Sequence, residues 1–231
     1  MGTVSEHQAV QAVAKAVLRD LGPTIAPTDT ERTIAARAAA MLVSRGISDT
    51  WYFDCPAFVL LGSRSCLSVS GREYVPGDGV VGLTNLVTVD LSPIRDDIWG
   101  DCARSFFVEN GSWTPSPPSE PFVRGAQVQR ALHKAMRGFV TARTSFAELF
   151  EFSNVEIQRH GFENLDFLGN VGHSIVSSRE ERVYIERGNR QLLADAGLFT
   201  FEPHVRQRGS PWGFKHENIY YFDGEGCVVE L

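Results

Sequence analysis

No apolar run in this sequence approaches the ~20 residues that a membrane span needs; the longest, near Ala57 to Leu61, is the size of one strand. A spanning protein is excluded, and no membrane partner is expected. Positive charge is scarce too. Lys and Arg total 22 against 28 Asp and Glu, a formal charge of -6, so there is no surplus of cation to offset nucleic-acid phosphates and nucleic acid is not an expected partner. The stretch from Met1 to Val10 lacks a basic segment followed by an apolar one, and Glu6 stands where a myristoylation signal has Ser or Thr; a cytoplasmic address is the expectation. Cys55, Cys66, Cys102 and Cys227 include no Cys-x-x-Cys pair, which argues against a zinc ribbon and a disulfide framework. Reduced and mostly buried thiols are expected. There is no short-period repeat.

What is present is an ordinary globular composition, 43% hydrophobic and 22% charged over 231 residues. A compact chain of this size removes roughly 70–75% of its extended surface from water, enough for one large core and a buried polar site. A single domain over residues 1–231 is expected. Ser5-x-x-Gln8 and Thr28-x-x-Glu31 have the form of capping boxes, each followed by an apolar helical repeat: Val10, Val13, Val17 and then Ile34, Ala38, Leu42. From Phe58 to Val108 short β-rich runs follow (58–61, 67–70, 86–91 and 105–108), broken by Gly and Pro. Gly111 to Pro121, with four prolines, reads as a surface connection, a domain linker being the competing reading. Two more helices are predicted, over 122–142 and from Ser145-x-x-Glu148 onward. Strands return at 198–205, 218–222 and 227–231, the last two joined by Asp223-Gly-Glu-Gly226, a hairpin signal. Helix, helix, strands recurs twice, which suggests an α+β chain of two similar halves able to gather polar side chains into one central cleft.

Leu86-Val-Thr-Val-Asp90 ends an apolar, β-branched strand on an aspartate, whose isolated burial would be costly. Asp101 follows a turn at Ser92-Pro93 and Asp96-Asp97, so the two carboxylates can face each other on neighbouring antiparallel strands, where a cation between them would relieve their repulsion. A lone Asp more often caps a turn. Gly172-His173, Phe201-Glu202-Pro203 and His216-Glu217-Asn218 come next. The two-residue period of a strand puts Glu202 on a face with Thr200 and His204. A single strand Glu is usually a rim residue and a single His a satisfied core residue.

As a set, Val87-Thr-Val-Asp-Leu-Ser-Pro93, Trp99-Gly-Asp-Cys-Ala-Arg-Ser105, Gly172-His173, Phe199-Thr-Phe-Glu-Pro203 and Glu217 before a Gly-containing hairpin resemble the pita-bread metallopeptidases. That family includes methionine aminopeptidase, prolidase, aminopeptidase P and the metal-free creatinase. The resemblance runs from about the first helix to Leu231. It implies a pita-bread fold, two pseudo-symmetric halves around a curved antiparallel sheet. It also implies two divalent metal ions, with Asp90 chelating one, Asp101 and Glu217 bridging both, and His173 with Glu202 completing the second. Two divalent cations would neutralise the four carboxylates. Oxygen and nitrogen donors without thiolate suit Mn, Fe(II), Co(II) or Zn. The activity implied is aminopeptidase-like hydrolysis of an amide or peptide bond, with Glu202 as general base and a small peptide or small-molecule amide as substrate; a homodimer is compatible with it.

Two departures bear on that chemistry. Peptidases of this family use two histidines that hold no metal. Counting on from His173 without a gap, one of those positions falls at Glu180, and after His7 there is no His ahead of Asp90. An ionised carboxylate only accepts hydrogen bonds, so Glu180 would need a raised pKa to act as acid, or would bind a cationic substrate group. As the alternative it is a solvated partner of Arg179 or Arg182. His204 and His216 are the candidate replacement donors. The absence of the additional amino-terminal domain of prolidase, aminopeptidase P and creatinase makes the chain similar to stand-alone methionine aminopeptidases. These departures keep two other readings in view: a metalloenzyme acting on a non-peptide small molecule in specialised metabolism, and a non-catalytic scaffold relative.

Overall fold

The computed structural model describes residues 2–231. The first half opens with α1 (Val4–Leu21) and α2 (Glu31–Ser44). Both predicted helices form, with different caps. Thr3 rather than Ser5 caps α1: its hydroxyl accepts from Glu6 N and the Glu6 carboxylate accepts from Thr3 N, adding the charge that a helix start favours. Thr30 rather than Thr28 caps α2, with Thr33 as its reciprocal partner. Glu31 cannot serve as a box residue because its carboxylate turns inward, accepting from Leu61 N at 2.9 Å, Arg64 Nε at 2.7 Å and Gly77 N at 2.6 Å.

The two helices cover one face of a four-stranded antiparallel sheet, β2-β3-β6-β7, made of Ala57–Leu61, Asn85–Leu91, Cys102–Glu109 and Ser112–Thr114. Val17, Leu21, Ile34 and Leu42 pack there against Val59, Val87, Val89 and Val108. A smaller ladder, β1 (Asp49–Thr50), β4 (Pro93–Arg95) and β5 (Ile98–Trp99), precedes Asp101. Its β4–β5 turn places Asp96 and Asp97 at φ 50 and 64, the left-handed pair a tight hairpin requires.

Residues 67–70, expected as a strand, are irregular. The free edge of β2 is already engaged, because the Tyr74 phenol donates to Val59 O at 2.8 Å and accepts from Val59 N at 3.1 Å. The proline-rich connection is shorter than expected. β7 takes residues up to Thr114, and Pro121 lies in the first turn of α3 (Glu120–Phe139), where a missing N–H is harmless.

The second half repeats the plan. α3 and α4 (Phe146–Arg159) pack through Leu132, Met136, Leu149 and Ile157 onto Phe199, Phe201, Val205, Phe214 and Tyr220. Two three-stranded antiparallel ladders carry these aromatics. One is β8-β10-β11 (Phe162–Asn164, His204–Gln207, Gly213–Lys215), the other β9-β12-β13 (Leu198–Phe201, Asn218–Phe222, Val228–Glu230). The run expected as one strand over 198–205 divides at Glu202-Pro203, because proline has no N–H for a ladder. The halves join where Glu217 N donates to Ala103 O at 3.0 Å and Arg104 donates to Glu217 O and Asn218 Oδ1. All four thiols are free, as expected, but only Cys102 is buried; Cys227 is exposed on the β12–β13 turn. No helix among the described residues is long and apolar enough to cross a membrane.

Candidate metal centre

Asp90, the last residue but one of β3, lies opposite Ala103 of β6, and Asp101 lies two residues ahead of Ala103. The strand period therefore turns both carboxylates to one face. Gln11 of α1 fixes the Asp101 peptide from both sides: its Oε1 accepts from Asp101 N at 2.8 Å and its Nε2 donates to Asp101 O at 2.7 Å. From the other half, Glu202 follows β9 at the proline break and Glu217 sits between β11 and β12.

His173 reaches the same place through a glycine. Gly172 has φ 149, and a Cβ there would lie 2.2 Å from Thr200 O, so only glycine lets this segment lie so close to β9. Thr200 N then donates to His173 O at 2.7 Å, and His173 N to Thr200 Oγ1 at 3.0 Å. His173 Nδ1 donates to Ser174 O at 2.9 Å, which leaves Nε2 as the lone-pair nitrogen of the neutral ring. Nε2 lies 3.3 Å from Asp101 Oδ2 and 3.7 Å from Glu202 Oε1.

The five side chains expected as metal ligands thus meet, in two sets that share Glu217. One is Asp101, His173 and Glu217, all buried; the other is Asp90, Glu202 and Glu217. Within each set the donor atoms lie within 4.8 Å of one another. The first set fits a divalent ion. Asp101 Oδ2 and both Glu217 oxygens are buried without a hydrogen-bond partner, which is costly for carboxylates unless a cation supplies the missing interaction. The donors are carboxylate oxygen and imidazole nitrogen, the chemistry of Mn, Fe(II), Co(II) or Zn.

Lys215, which sequence reasoning missed, stands against the second set. Its Nζ donates to Asp90 Oδ2 at 2.5 Å and lies 2.9 Å from Glu202 Oε2 and 3.7 Å from Glu217 Oε2. A signal was available: in the segment Phe214 to Phe222, expected as a strand, Lys215 and Glu217 are two residues apart and would share a side.

The electrostatics follow from this arrangement. Burial pushes Asp101 up to about 6, with His173 opposing. Burial and then the charges of Asp101 and Glu202 drive Glu217 well above the carboxylate range. Burial alone would raise Glu202 and depress Lys215, but their mutual attraction, with Asp90 adding to it, outweighs that: Glu202 is held low and Lys215 well above its ordinary value.

The centre opens into a cavity of about 680 Å³, within the range of small-molecule sites. Trp51, Tyr52, Phe53, Arg182 and Tyr184 form part of its wall, with the Arg182 guanidinium 5.0 Å from the Trp51 ring and 5.4 Å from that of Tyr184. His204 lines it as well. Its Nε2 donates to Ser65 O at 2.6 Å, and burial pushes the ring down to about 4, so it is a neutral imidazole whose one donor is already committed. His216 does not line the cavity and packs edge-on against His133. Glu180 is not brought to the centre. It sits on a short 3₁₀ turn (Arg179–Glu181) with its side chain 73% exposed, beside Arg179 at 3.3 Å and Ser178 at 3.1 Å.

Residues 5–230 match the family model described as metallopeptidase family M24. Among solved structures the chain superposes on a prolidase from Thermococcus sibiricus with a TM-score of 0.79 at 18% identity, over 98% of this chain and 57% of that one. An X-Pro aminopeptidase from Thermotoga maritima gives 0.79 at 19%, over 97% and 58%. A methionine aminopeptidase from Rickettsia prowazekii gives 0.73 at 14%, over 100% and 98%. The chain therefore spans under three fifths of those first two proteins and nearly all of the third. These likenesses establish the pita-bread fold. No curated protein sequence matches.

Proposed function

The chain belongs to metallopeptidase family M24, and on that premise we propose that residues 1–231 act as one catalytic domain, a metal-dependent hydrolase of an amide or peptide bond next to a free amino terminus. The supporting observation is the meeting of Asp90, Asp101, His173, Glu202 and Glu217, from both halves of the chain, at the floor of one cavity. The substrate is a short peptide or a small amide, and the compartment the cytoplasm.

Asp101, His173 and Glu217 would hold a divalent ion, which when bound polarises a carbonyl and acidifies water. The resemblance calls for a second ion held by Asp90 with Asp101 and Glu217 shared, whereas here Lys215 already lies among Asp90, Glu202 and Glu217. Glu202 is the general base. Lys215 keeps its carboxylate ionised, so it can accept a proton at Oε1 and return it to the leaving amine. Trp51, Tyr52 and Tyr184 exclude water from one wall, and Arg182 among them orients an anionic end of the substrate. Glu180, directed into solvent, has no role in this scheme.

A second reading keeps the centre and changes the substrate to a non-peptide small molecule. It is favoured by the cavity's imidazoles: among the described residues these are His173, turned to the carboxylates, and His204, whose N–H is committed to Ser65. Neither offers a proton to a peptide carbonyl. Metal-loaded protein assayed on a panel of short peptides separates the readings, since general aminopeptidase turnover supports the first and inertness toward all of them refutes it. Asp101→Ala and Glu217→Ala should lose metal and turnover together. Undiminished metal content in both variants would refute the centre itself.

A further inference from the structure

Lys215 is built into the centre rather than laid over it. The backbone of Lys215 is clamped on β11: its N donates to Ser105 Oγ at 2.9 Å and its O accepts from the same hydroxyl at 3.0 Å, while the residue pairs with His204 across the ladder. That clamp aims the side chain at Asp90, Glu202 and Glu217, and its ammonium approaches all three. Asp101 and His173, the rest of the cluster, are not among its ion-pair contacts; they lie 3.3 Å apart, with Asp101 Oδ2 lacking a hydrogen-bond partner.

We infer that this protein binds one divalent ion, at Asp101, His173 and Glu217, and that the Lys215 ammonium replaces a second ion between Asp90, Glu202 and Glu217. The inference rests on the metallohydrolase reading above. Three donor oxygens within 4.8 Å of one another enclose room for one cation centre. An ion among them would lie about 2.0–2.2 Å from each oxygen, in the space the Nζ contacts already define, and would meet the ammonium as a like charge at contact distance. An ammonium offers three donors and no acceptor, which suits a ring of three carboxylates. Against four carboxylates, one divalent ion and one ammonium leave a single negative charge in the floor of the cavity. That charge favours a substrate bearing a cationic amine close to the scissile bond.

Lys215 in this arrangement is a positioning residue. It holds Glu202 and Asp90 in place, and its removal should change how many ions bind before it changes anything else. The test is metal counting on the intact chain. Wild-type protein incubated with excess Mn(II), then freed of unbound metal by gel filtration, should carry one ion per chain by elemental analysis. Its electron paramagnetic resonance spectrum should be the six-line signal of an isolated ion. Lys215→Met, which removes the charge and keeps the length, should carry two ions per chain.

Two ions in the wild type, or the signature of an exchange-coupled pair, would overturn the inference and leave the metallohydrolase reading standing. Wild-type protein that takes up no ion would overturn both. A folded Lys215→Met that still binds one ion would refute the ammonium as the group that excludes the second. Should that variant not fold, the wild-type count and spectrum decide alone.

Discussion

Replacing Gly172 by alanine tests how the second half of the chain delivers His173. The new Cβ would lie 2.2 Å from Thr200 O and 2.9 Å from Ile185 Cδ1, and since Cβ atoms do not approach a backbone oxygen closer than 3.0 Å, the segment and β9 must part by about 0.8 Å. Holding a non-glycine residue in this backbone region costs roughly 1–3 kcal/mol. Weakening the bonds between His173 and Thr200 adds about 1 kcal/mol, for a total of about 2–4 kcal/mol. Gly188→Ala is the control, because Gly188 has φ 81 and open space around its Cβ position; it carries a positive-φ strain of its own, without the collision. Urea unfolding of the metal-free proteins should rank wild type above Gly188→Ala above Gly172→Ala, with unchanged slopes. Gly172→Ala alone should also bind Mn(II) roughly 10–100-fold more weakly, because a displaced imidazole misses the ion. Equal stability of the two variants, or wild-type affinity in Gly172→Ala, would refute the close approach as the device that sets His173.

Gln11 touches no substrate, yet Gln11→Leu should lower stability by about 2–4 kcal/mol, because it strands the buried N–H and C=O of Asp101. The same variant should weaken metal binding; a calorimetric titration that finds wild-type affinity would refute the coupling. His133 is buried between Tyr220 Oη and His216 O, and burial pushes it down to about 4. Its neutral ring stabilises the fold fully above the ordinary imidazole value near 6.5, and that contribution is lost as pH falls from there to about 4, on the order of 3 kcal/mol in all. Replacing His133 by Gln should flatten the pH dependence of unfolding over this window, and an unaltered profile would refute the assignment. Arg182→Gln should raise KM for a substrate with a free carboxylate about tenfold and leave the amide-capped analogue unchanged; equal effects on both would refute a recognition role.

The five candidate donors were legible as a set, through their resemblance to the metallopeptidase pattern, although singly each reads as a turn cap, a rim residue or a core histidine. Asp90 ends an apolar strand, Glu202 precedes a proline between aromatic segments, and Glu217 interrupts Phe214 to Phe222. A carboxylate in such a setting needs a partner. Lys215 was missed because a lysine near a strand end is ordinarily read as solvated, and its meaning lies in contacts with residues far away in sequence. Of the two readings of Glu180, the structure matches the solvated partner of Arg179. Counting from His173 without a gap assumes a regular path, whereas 165–192 runs through loops and a single 3₁₀ turn. The strand expected over 67–70 had the right composition and no free edge to join, since the Tyr74 hydroxyl holds the Val59 peptide. Propensity does not report that kind of competition.

The clasp between Gln11 and Asp101 and the late arrival of Glu217 together impose an order on synthesis. A ribosome releasing this polypeptide exposes the first helix long before the link between β11 and β12 that bears Glu217, so a nascent chain would own half of the proposed chelate and nothing to close it. With the proposed centre, ion capture would be an event of maturation, timed after Glu217 has emerged.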